Sequence, residues 1–258
     1  MIQKMIHPQN AAPLFQGWEE TIIWSCLQGI MGAVFAPDME TPDAAMAVLG
    51  DFRFFAGIPN QELVLYKQSS LILVPQNDGW AELIRHCFPD KARQITRYAI
   101  KKEPQVFDRE HLRQVLTALP DGYELRLIDE ALYRRCLTED WSRDLVSQFD
   151  SYERYRQLGL GAVILKDGEI LSGASSYSRY REGIEIEIDT RPDQRRKGFA
   201  CICGAKLILE CLRRGLYPSW DAHTPASVAL AEKLGYRCSH PYTAFEITYD
   251  TRNPIRHL

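Results

Sequence analysis

The run Ile184-Glu185-Ile186-Glu187-Ile188-Asp189-Thr190-Arg191-Pro192-Asp193-Gln194-Arg195-Arg196-Lys197-Gly198-Phe199-Ala200 decides how this chain folds. Apolar and acidic residues alternate strictly from Gly183 to Asp189, which predicts a strand. Its period of two puts Glu185, Glu187 and Asp189 on one face and Ile184, Ile186 and Ile188 on the other. Pro192 cannot donate to a ladder and ends the strand. A basic loop follows, with Arg191, Arg195, Arg196 and Lys197 against the single Asp193. Gly198 admits an unusual φ, and a long apolar helix then begins. Polar residues in that helix form one stripe, Lys206, Glu210, Arg213 and Arg214, so the rest of its surface is expected against a sheet. Strand, glycine-containing loop and helix N-terminus together make an anion site: free N–H groups and the helix dipole attract phosphate, and basic side chains reinforce them. Taken alone, the same residues also read as a solvated basic turn before a buried helix.

Working outward, Tyr123–Ile128 alternates as a strand, and Asp129 can cap a helix running toward Cys136. Leu145–Gln157 reads as helix. Gly161–Leu165 and Glu169–Tyr177 flank Lys166-Asp167-Gly168, an Asp-Gly hairpin signal. Beyond the apolar helix, a short strand at Tyr217–Asp221, a second helix and two final strands around Tyr236–Tyr249 complete an α/β pattern, a hairpin leading into crossover units. The Leu119-Pro120-Asp121-Gly122 turn is the expected boundary, giving an N-terminal α/β domain over residues 1–120 and a second domain over 121–258. In the first half, helices are expected at Trp18–Gln28, Trp80–Cys87 (opened by Asn77-Asp78-Gly79) and Asp108–Leu116. Strands are expected at Gly32–Ala36, Ala45–Ala56 with a bend at Gly50, Ser70–Val74 and Thr96–Lys101.

Composition excludes several classes. The 258 residues are 45% hydrophobic and 25% charged, far from the disordered regime. The 31 Lys and Arg against 34 Asp and Glu give a net charge of -3, without the basic surplus of a dedicated nucleic-acid binder. Neither half is lopsided, with 11 basic and 13 acidic residues up to Pro120 and 20 and 21 after it. Seven cysteines, an odd number without CxxC, argue for reduced thiols and no metal site. With no stretch of 18 continuous apolar residues and no apolar N-terminal region, the expected setting is cytoplasmic, away from membranes. Weaker signals carry no function: Gly159-Leu-Gly161 precedes a strand, SGASSYS (172–178) lacks a nucleophile-elbow order, and Cys238-x-His240 has no partner pair.

Arg195-x-x-Gly198-x-Ala200, after a strand and Pro192, resembles the acetyl-CoA pyrophosphate loop of the GNAT superfamily of N-acetyltransferases. Ser227-Val-Ala-Leu-Ala-Glu-Lys-Leu234-Gly235-Tyr236 is similar to the second motif of that superfamily, a helix ending in Leu-Gly-aromatic before a strand. The wording of Glu185–Phe245 looks closest to a bacterial branch that includes zwittermicin A self-resistance acetyltransferases. The resemblance covers about Tyr123–Tyr249 and implies a GNAT fold with two splayed parallel strands, here Gly183–Thr190 and Tyr217–Asp221. For residues 1–120 two roles stand open, a cover for the acceptor cleft or a degenerate copy of the same fold.

The resemblance implies acetyl-CoA as co-substrate and no metal. Backbone groups of Ile188, Asp189 and Thr190 are implied against the pantetheine arm. Amides from Arg196 through Ala200, including Lys197, Gly198 and Phe199 and helped by Arg195, are implied around the pyrophosphate. Thr224 stands where the superfamily often has a cofactor-contacting Asn, and Ser227 is within reach, although both also suit helix capping. Acetyl transfer to an amine needs a proton acceptor, for which Glu185 and Glu187 are the candidates. Arg179 and Arg181 are alternative partners for that acidic face. The leaving thiolate benefits from an acid, but the position of the usual tyrosine is Ala231; Tyr236 is a candidate that also suits core packing, and Tyr177, Tyr180, Tyr242, Cys238 and His240 stand beside it unranked. The expected activity is direct transfer to a primary amine of a small molecule or peptide. A non-catalytic acyl-CoA sensor and a protein-directed acetyltransferase are the alternatives. A homodimer is left open.

Overall fold

A computed structural model of the chain describes residues 1–66 and 72–248. In chain order the elements are β1 (Gln3–Lys4), α1 (Thr21–Leu27), β2 (Ala33–Ala36), β3 (Ala44–Leu49), β4 (Phe52–Gly57), α2 (Gln61–Leu65), β5 (Ile72–Pro75), α3 (Asp78–Cys87), β6 (Ala92–Ile100) and α4 (Arg109–Leu116). They continue with β7 (Tyr123–Leu127), α5 (Glu130–Cys136), α6 (Tyr152–Leu158), β8 (Gly161–Lys166), β9 (Glu169–Tyr180), β10 (Gly183–Thr190), α7 (Phe199–Arg213), β11 (Tyr217–Ser219), β12 (Asp221–Ala222), α8 (Pro225–Lys233) and β13 (Cys238–Ile247). The architecture is mixed α/β with mixed sheets, as the sequence pattern predicts.

Two compact units divide the chain: residues 1–97 with the returning segment from Tyr242, and residues 98–241. The turn at Pro120, expected to separate domains, lies inside the second unit. The reason is packing: Leu112 of α4 is fully buried in the same core as Ile202 and Ala205 of α7, so residues 98–120 belong to the second unit.

In the first unit the strand order is β1-β2-β3-β4-β5-β13-β6. Residues 45–56, expected as one bent strand, form a hairpin instead: β3 and β4 pair antiparallel from Ala44↔Gly57 to Leu49↔Phe52. The bend is a full reversal because Gly50 takes φ 54°, which suits a tight turn. β5 runs parallel to β4, and β13 antiparallel to β5. Ser70 of the expected strand lies outside the described residues. The N-terminal aromatics are core: Phe54 and Phe55 are fully buried, and Phe55 stacks on Trp80 with ring centroids 5.2 Å apart.

In the second unit the sheet order is β11-β10-β9-β8-β7. The Asp167-Gly168 hairpin forms as expected, both residues at positive φ. α7 lies on one face, burying Phe199, Ile202, Cys203, Ala205, Leu207 and Ile208 against Ile164, Ile184 and Ile186. Its polar stripe is outside, where Glu210 accepts from both Lys206 (3.0 Å) and Arg213 (3.0 Å). The helix expected at Leu145–Gln157 is only a 3-10 turn, Arg143–Leu145, and the short α6. Ser151 caps α6, its Oγ accepting from Arg154 N, so the chain starts a new helix there rather than continuing one. Leu145 presses on β9 at Gly173, where an added Cβ would lie 2.5 Å from Leu145 Cδ1. The short strand expected at Tyr217–Asp221 is two strands: β11 pairs with β10, whereas β12 leaves it and pairs with the end of β6 (Asp221↔Ala99). Where two final strands were expected, the described residues hold the single β13; Tyr249 lies outside them.

Candidate active site

The site grows from that change of partners. β10 and β11 run parallel and pair at Gly183↔Tyr217, Ile184↔Pro218 and Glu185↔Ser219. Beyond Glu185, β10 keeps pairing with β9 as far as Thr190↔Ser172, while its other edge has no strand partner among the described residues. Two parallel strands therefore share a vertex at Glu185/Ser219 and part beyond it. A register shift in the β9–β10 pairing falls at the same place, between Glu185 and Ile186. The splay expected from the sequence is present, and it leaves the edge of β10 from Ile188 to Thr190 without a strand partner among the described residues.

After β10 the chain builds an anion cradle. Pro192–Gln194 is a 3-10 turn braced by Arg191, which donates to both oxygens of Asp193 at 2.7 and 3.0 Å. Arg195 turns back, its Nε donating to Thr190 O at 3.2 Å, which anchors the loop to the strand end. Arg196 and Gly198 then take left-handed φ of 65° and 86°. Gly198 is the N-cap of α7 and supplies no side chain to it. The first N–H groups of the helix are thus left for a ligand, at the positive end of its dipole. Nothing lies within 4 Å of a Cβ built on Gly198, so the requirement for glycine there is conformational and not steric.

A cavity of about 550 Å³ opens over this turn, lined on one side by Thr190, Gln194, Arg195, Arg196, Gly198, Phe199, Ala200 and Cys201. Ala226, Leu230 and Lys233 of α8 line the other side. Six of the cofactor residues expected from the sequence meet here, Thr190, Arg195, Arg196, Gly198, Phe199 and Ala200, whereas Ile188 and Asp189 of β10 are not among the lining residues. Lys197 stands apart from the lining, its Nζ donating to Gln194 at 2.8 Å. Thr224 and Ser227 stand apart as well. Thr224 Oγ1 caps α8 by accepting from Ser227 N (3.2 Å), and Ser227 Oγ accepts from Trp220 Nε1 (3.2 Å). Lys233 is the residue that sequence reasoning missed. It reads as the last polar residue of an amphipathic helix, and only the packing of α8 opposite the turn gives it a place in the cavity.

The acidic face of β10 is graded. Glu185 is buried, Glu187 half-buried, and Asp189 half-buried with its carboxyl raised by desolvation. Asp189 Oδ1 accepts from Thr190 N at 2.7 Å and lies 4.0 Å from Arg195. Arg179 donates to Gly183 O at 3.1 Å. Tyr236 is fully enclosed between Phe107 and Trp220, and its hydroxyl donates to Pro218 O at 2.7 Å. Burial raises this phenol well above its ordinary value, with the charges of the surrounding groups, Glu185 among them, adding to the effect. Ala231 is buried in the core of the unit. All seven cysteines are free thiols, and no cluster of metal ligands occurs among the described residues. Among those residues, no helix is long and apolar enough to cross a membrane.

Parted parallel strands, a left-handed turn and an uncapped helix N-terminus together place an anion-binding geometry beside an open strand edge. The family model for GNAT acetyltransferases matches residues 12–245, and the chain belongs to that family of acetyl-CoA-dependent enzymes. The match takes in the first unit too, which the sequence motifs left unassigned. The chain is 48% identical to a GCN5-related N-acetyltransferase-like protein from Streptococcus suis 89/1591, whose crystal structure superposes with a TM-score of 0.90 over 94% of this chain and 98% of that one. It is 26% identical over 242 residues to an uncharacterized N-acetyltransferase of Bacillus subtilis, YdfB, covering 87% of this chain and 89% of the relative. A GCN5-related N-acetyltransferase from Kribbella flavida shares the fold at a TM-score of 0.55 and 13% identity, over 95% of this chain and 97% of that one.

Proposed function

We propose that the enzyme moves an acetyl group from acetyl-CoA directly to a primary amine of a small molecule or peptide. The observation that carries this reading is the junction of two features. The basic left-handed turn at the start of α7 faces a cavity, and the unpaired edge of β10 leads from it to the buried carboxylate of Glu185. In this reading the amides of Arg196 through Ala200 hold the pyrophosphate, Arg195, Arg196 and Lys233 neutralise phosphate charge, and Lys197 adds to the local field. Backbone groups of Ile188 and Asp189, on the edge without a strand partner, pair with the amides of the pantetheine arm and extend the sheet, and Thr190, whose N–H goes to Asp189 Oδ1 and whose C=O goes to Arg195 Nε, ends that edge and lines the cavity. Bound acetyl-CoA supplies the activated acyl group.

Glu185, at the vertex, takes the proton of the acceptor ammonium, and the more exposed Glu187 attracts the cation. Tyr236 is assigned to holding the vertex and not to acid catalysis, because its proton is committed to Pro218 O. A thiolate is a weak base, so protonation by solvent suffices. Thr224 and Ser227 are assigned to setting α8, which presents Lys233. The likeness to zwittermicin A self-resistance enzymes supports a small amine-bearing acceptor, and the near-neutral charge supports a reaction away from nucleic acid. A cytoplasmic setting fits both the substrate and the free thiols.

Calorimetry with acetyl-CoA, followed by thiol release over a panel of primary amines, tests the reading. Binding with turnover, reduced roughly 100-fold or more by Glu185→Gln, is expected. Absence of binding overturns it, and binding without turnover on any amine makes the protein an acyl-CoA sensor.

A further inference from the structure

Glu185 does not stand alone in the sheet. Its in-register neighbour on β9 is Ser178 and its in-register neighbour on β11 is Ser219. Paired residues point to the same face of a sheet, so the three side chains form one row, Ser178–Glu185–Ser219, across three strands about 4.8 Å apart. Both serines are fully buried, and Glu185 is only 4% exposed. The hydroxyl oxygens of Ser178 and Ser219 have no hydrogen-bond partner among the described residues.

Two buried hydroxyls of this kind, one on each side of a carboxylate, need explanation. A hydroxyl costs little at a strand position when it is bonded, and roughly 1–3 kcal/mol when it is not. The chain has met that need elsewhere in this sheet. Ser172 Oγ pairs with Thr190 Oγ1 at 2.7 Å, Ser175 Oγ with Tyr155 at 2.9 Å, and Ser176 Oγ accepts from Leu160 N at 3.0 Å. Among the described residues of this sheet, the serines beside Glu185 break the rule. Neither hydroxyl is bonded to the carboxylate directly, and one bridging water on each side would satisfy both. Ser219 also sits at the last pair before β10 and β11 part, which places it beside Glu185 at the edge of the opening.

We propose that Ser178 and Ser219 are the positioning residues of the Glu185 carboxylate, each holding a water against it, and that Ser219 relays the acceptor's proton. The inference rests on the reading of Glu185 as the base. In the relay an N–H bond of the acceptor ammonium breaks and its electron pair stays on nitrogen. The proton passes to Ser219 Oγ, whose own proton moves through the bridging water to a Glu185 oxygen. The serine ends as it began, and the carboxylate ends protonated.

The ionisable groups around the row are named by the fold. Tyr180 faces it from β9, Tyr217 from β11, and Tyr236 from the segment after α8; burial raises all three phenols, and the Glu185 charge adds to this. They therefore stay neutral and compete for no proton near neutral pH. Arg179 and Glu182 lie toward the β9–β10 turn, Glu187 lies two residues on along β10, Glu103 lies beside Tyr217, and the Cys211 thiol approaches Tyr180 from α7. Through the bridging waters the hydroxyls add hydrogen bonds to the charged form of Glu185.

The test needs no acceptor. In full-length protein carrying ¹³C-labelled glutamate carboxyls, the Glu185 resonance is assigned by its loss in Glu185→Gln and titrated by NMR. Ser178→Ala and Ser219→Ala are each expected to raise its midpoint by about one pH unit, and Ser178→Thr and Ser219→Thr to restore it. A crystal structure of the wild type is expected to show a water within hydrogen-bond distance of each serine Oγ and of Glu185. Unchanged midpoints in both alanine variants, or serine hydroxyls with no bridging water, overturn the proposal. Acetyl-CoA calorimetry on the same samples separates the two readings: lost serine coupling with intact binding sinks only the relay, and lost binding in the wild type sinks the reading of the site.

Discussion

Two helices of this protein follow a strand through a short turn, and their N-termini are treated in opposite ways. At α3, in the first unit, Asn77 Oδ1 accepts from Trp80 N at 3.2 Å, and Asp78 stands in the first turn at the positive end of the dipole. The helix end is closed by its own residues. At α7, in the second unit, Gly198 is the N-cap in a left-handed conformation, no side chain caps it, and no acidic residue lies in the first turn. The helix end is open and surrounded by Arg195, Arg196 and Lys233. In the proposed reading a strand-to-helix turn becomes an anion site by what it omits: withholding the cap leaves N–H groups that a ligand can satisfy.

The comparison can be broken at several points. Arg195→Ala combined with Arg196→Ala is expected to weaken acetyl-CoA about 100-fold in calorimetry, since charge-assisted hydrogen bonds contribute about 1.5–3 kcal/mol each. An unchanged Kd would remove the turn from the cofactor site. Gly198→Ala is expected to cost about 1–2 kcal/mol for a left-handed φ without a clash, read as a lower Tm together with roughly tenfold weaker cofactor binding. Asn77→Ala is expected to cost about 1 kcal/mol of stability in denaturant titration and to leave acetyl-CoA affinity unchanged. Loss of affinity there would show that the two helix ends are not separate in function.

The last contrast is in pH. Burial pushes the thiols of Cys26 in the first unit and of Cys136, Cys203 and Cys211 in the second from 9.0 up to about 12. With the folded values above the unfolded ones, the folded state holds more protons between these limits, so stability falls as pH rises from about 9 toward 12. Near neutral pH these groups contribute no slope. Cys203→Ala is expected to flatten the alkaline decline of ΔG in urea titrations at pH 8 to 10, and an unchanged slope would count against the buried-thiol origin.

Local sequence carried the parts of the fold that rest on local physics. Alternation placed β10, the Asp167-Gly168 signal placed the β8–β9 hairpin, and Thr224, Asp129 and Asn77 cap the helices they precede. Capping and turn chemistry act over three or four residues and are legible in a single chain. Leu145–Gln157 was misleading because its apolar residues serve contacts to β9 and not a helix face, with Ser151 interrupting the run. The strand through residues 45–56 was misleading because a bend and a reversal have the same composition, and only the pairing partner distinguishes them.

The sequence by itself determined the chemistry of the anion turn: the order strand, Pro192, basic run, Gly198 and apolar helix is a local pattern with a local consequence. Tertiary structure alone decided which groups that turn would face. Lys233 enters the cavity because α8 packs opposite the turn, Tyr236 becomes a strut because Pro218 O lies at its hydroxyl, and Ser178 and Ser219 flank Glu185 because three strands share one register. Glu185 and Ser219, 34 positions apart in the chain, become sheet neighbours only after the strands have paired, and hydrogen-bonded register is a property of that pairing and not of any one strand.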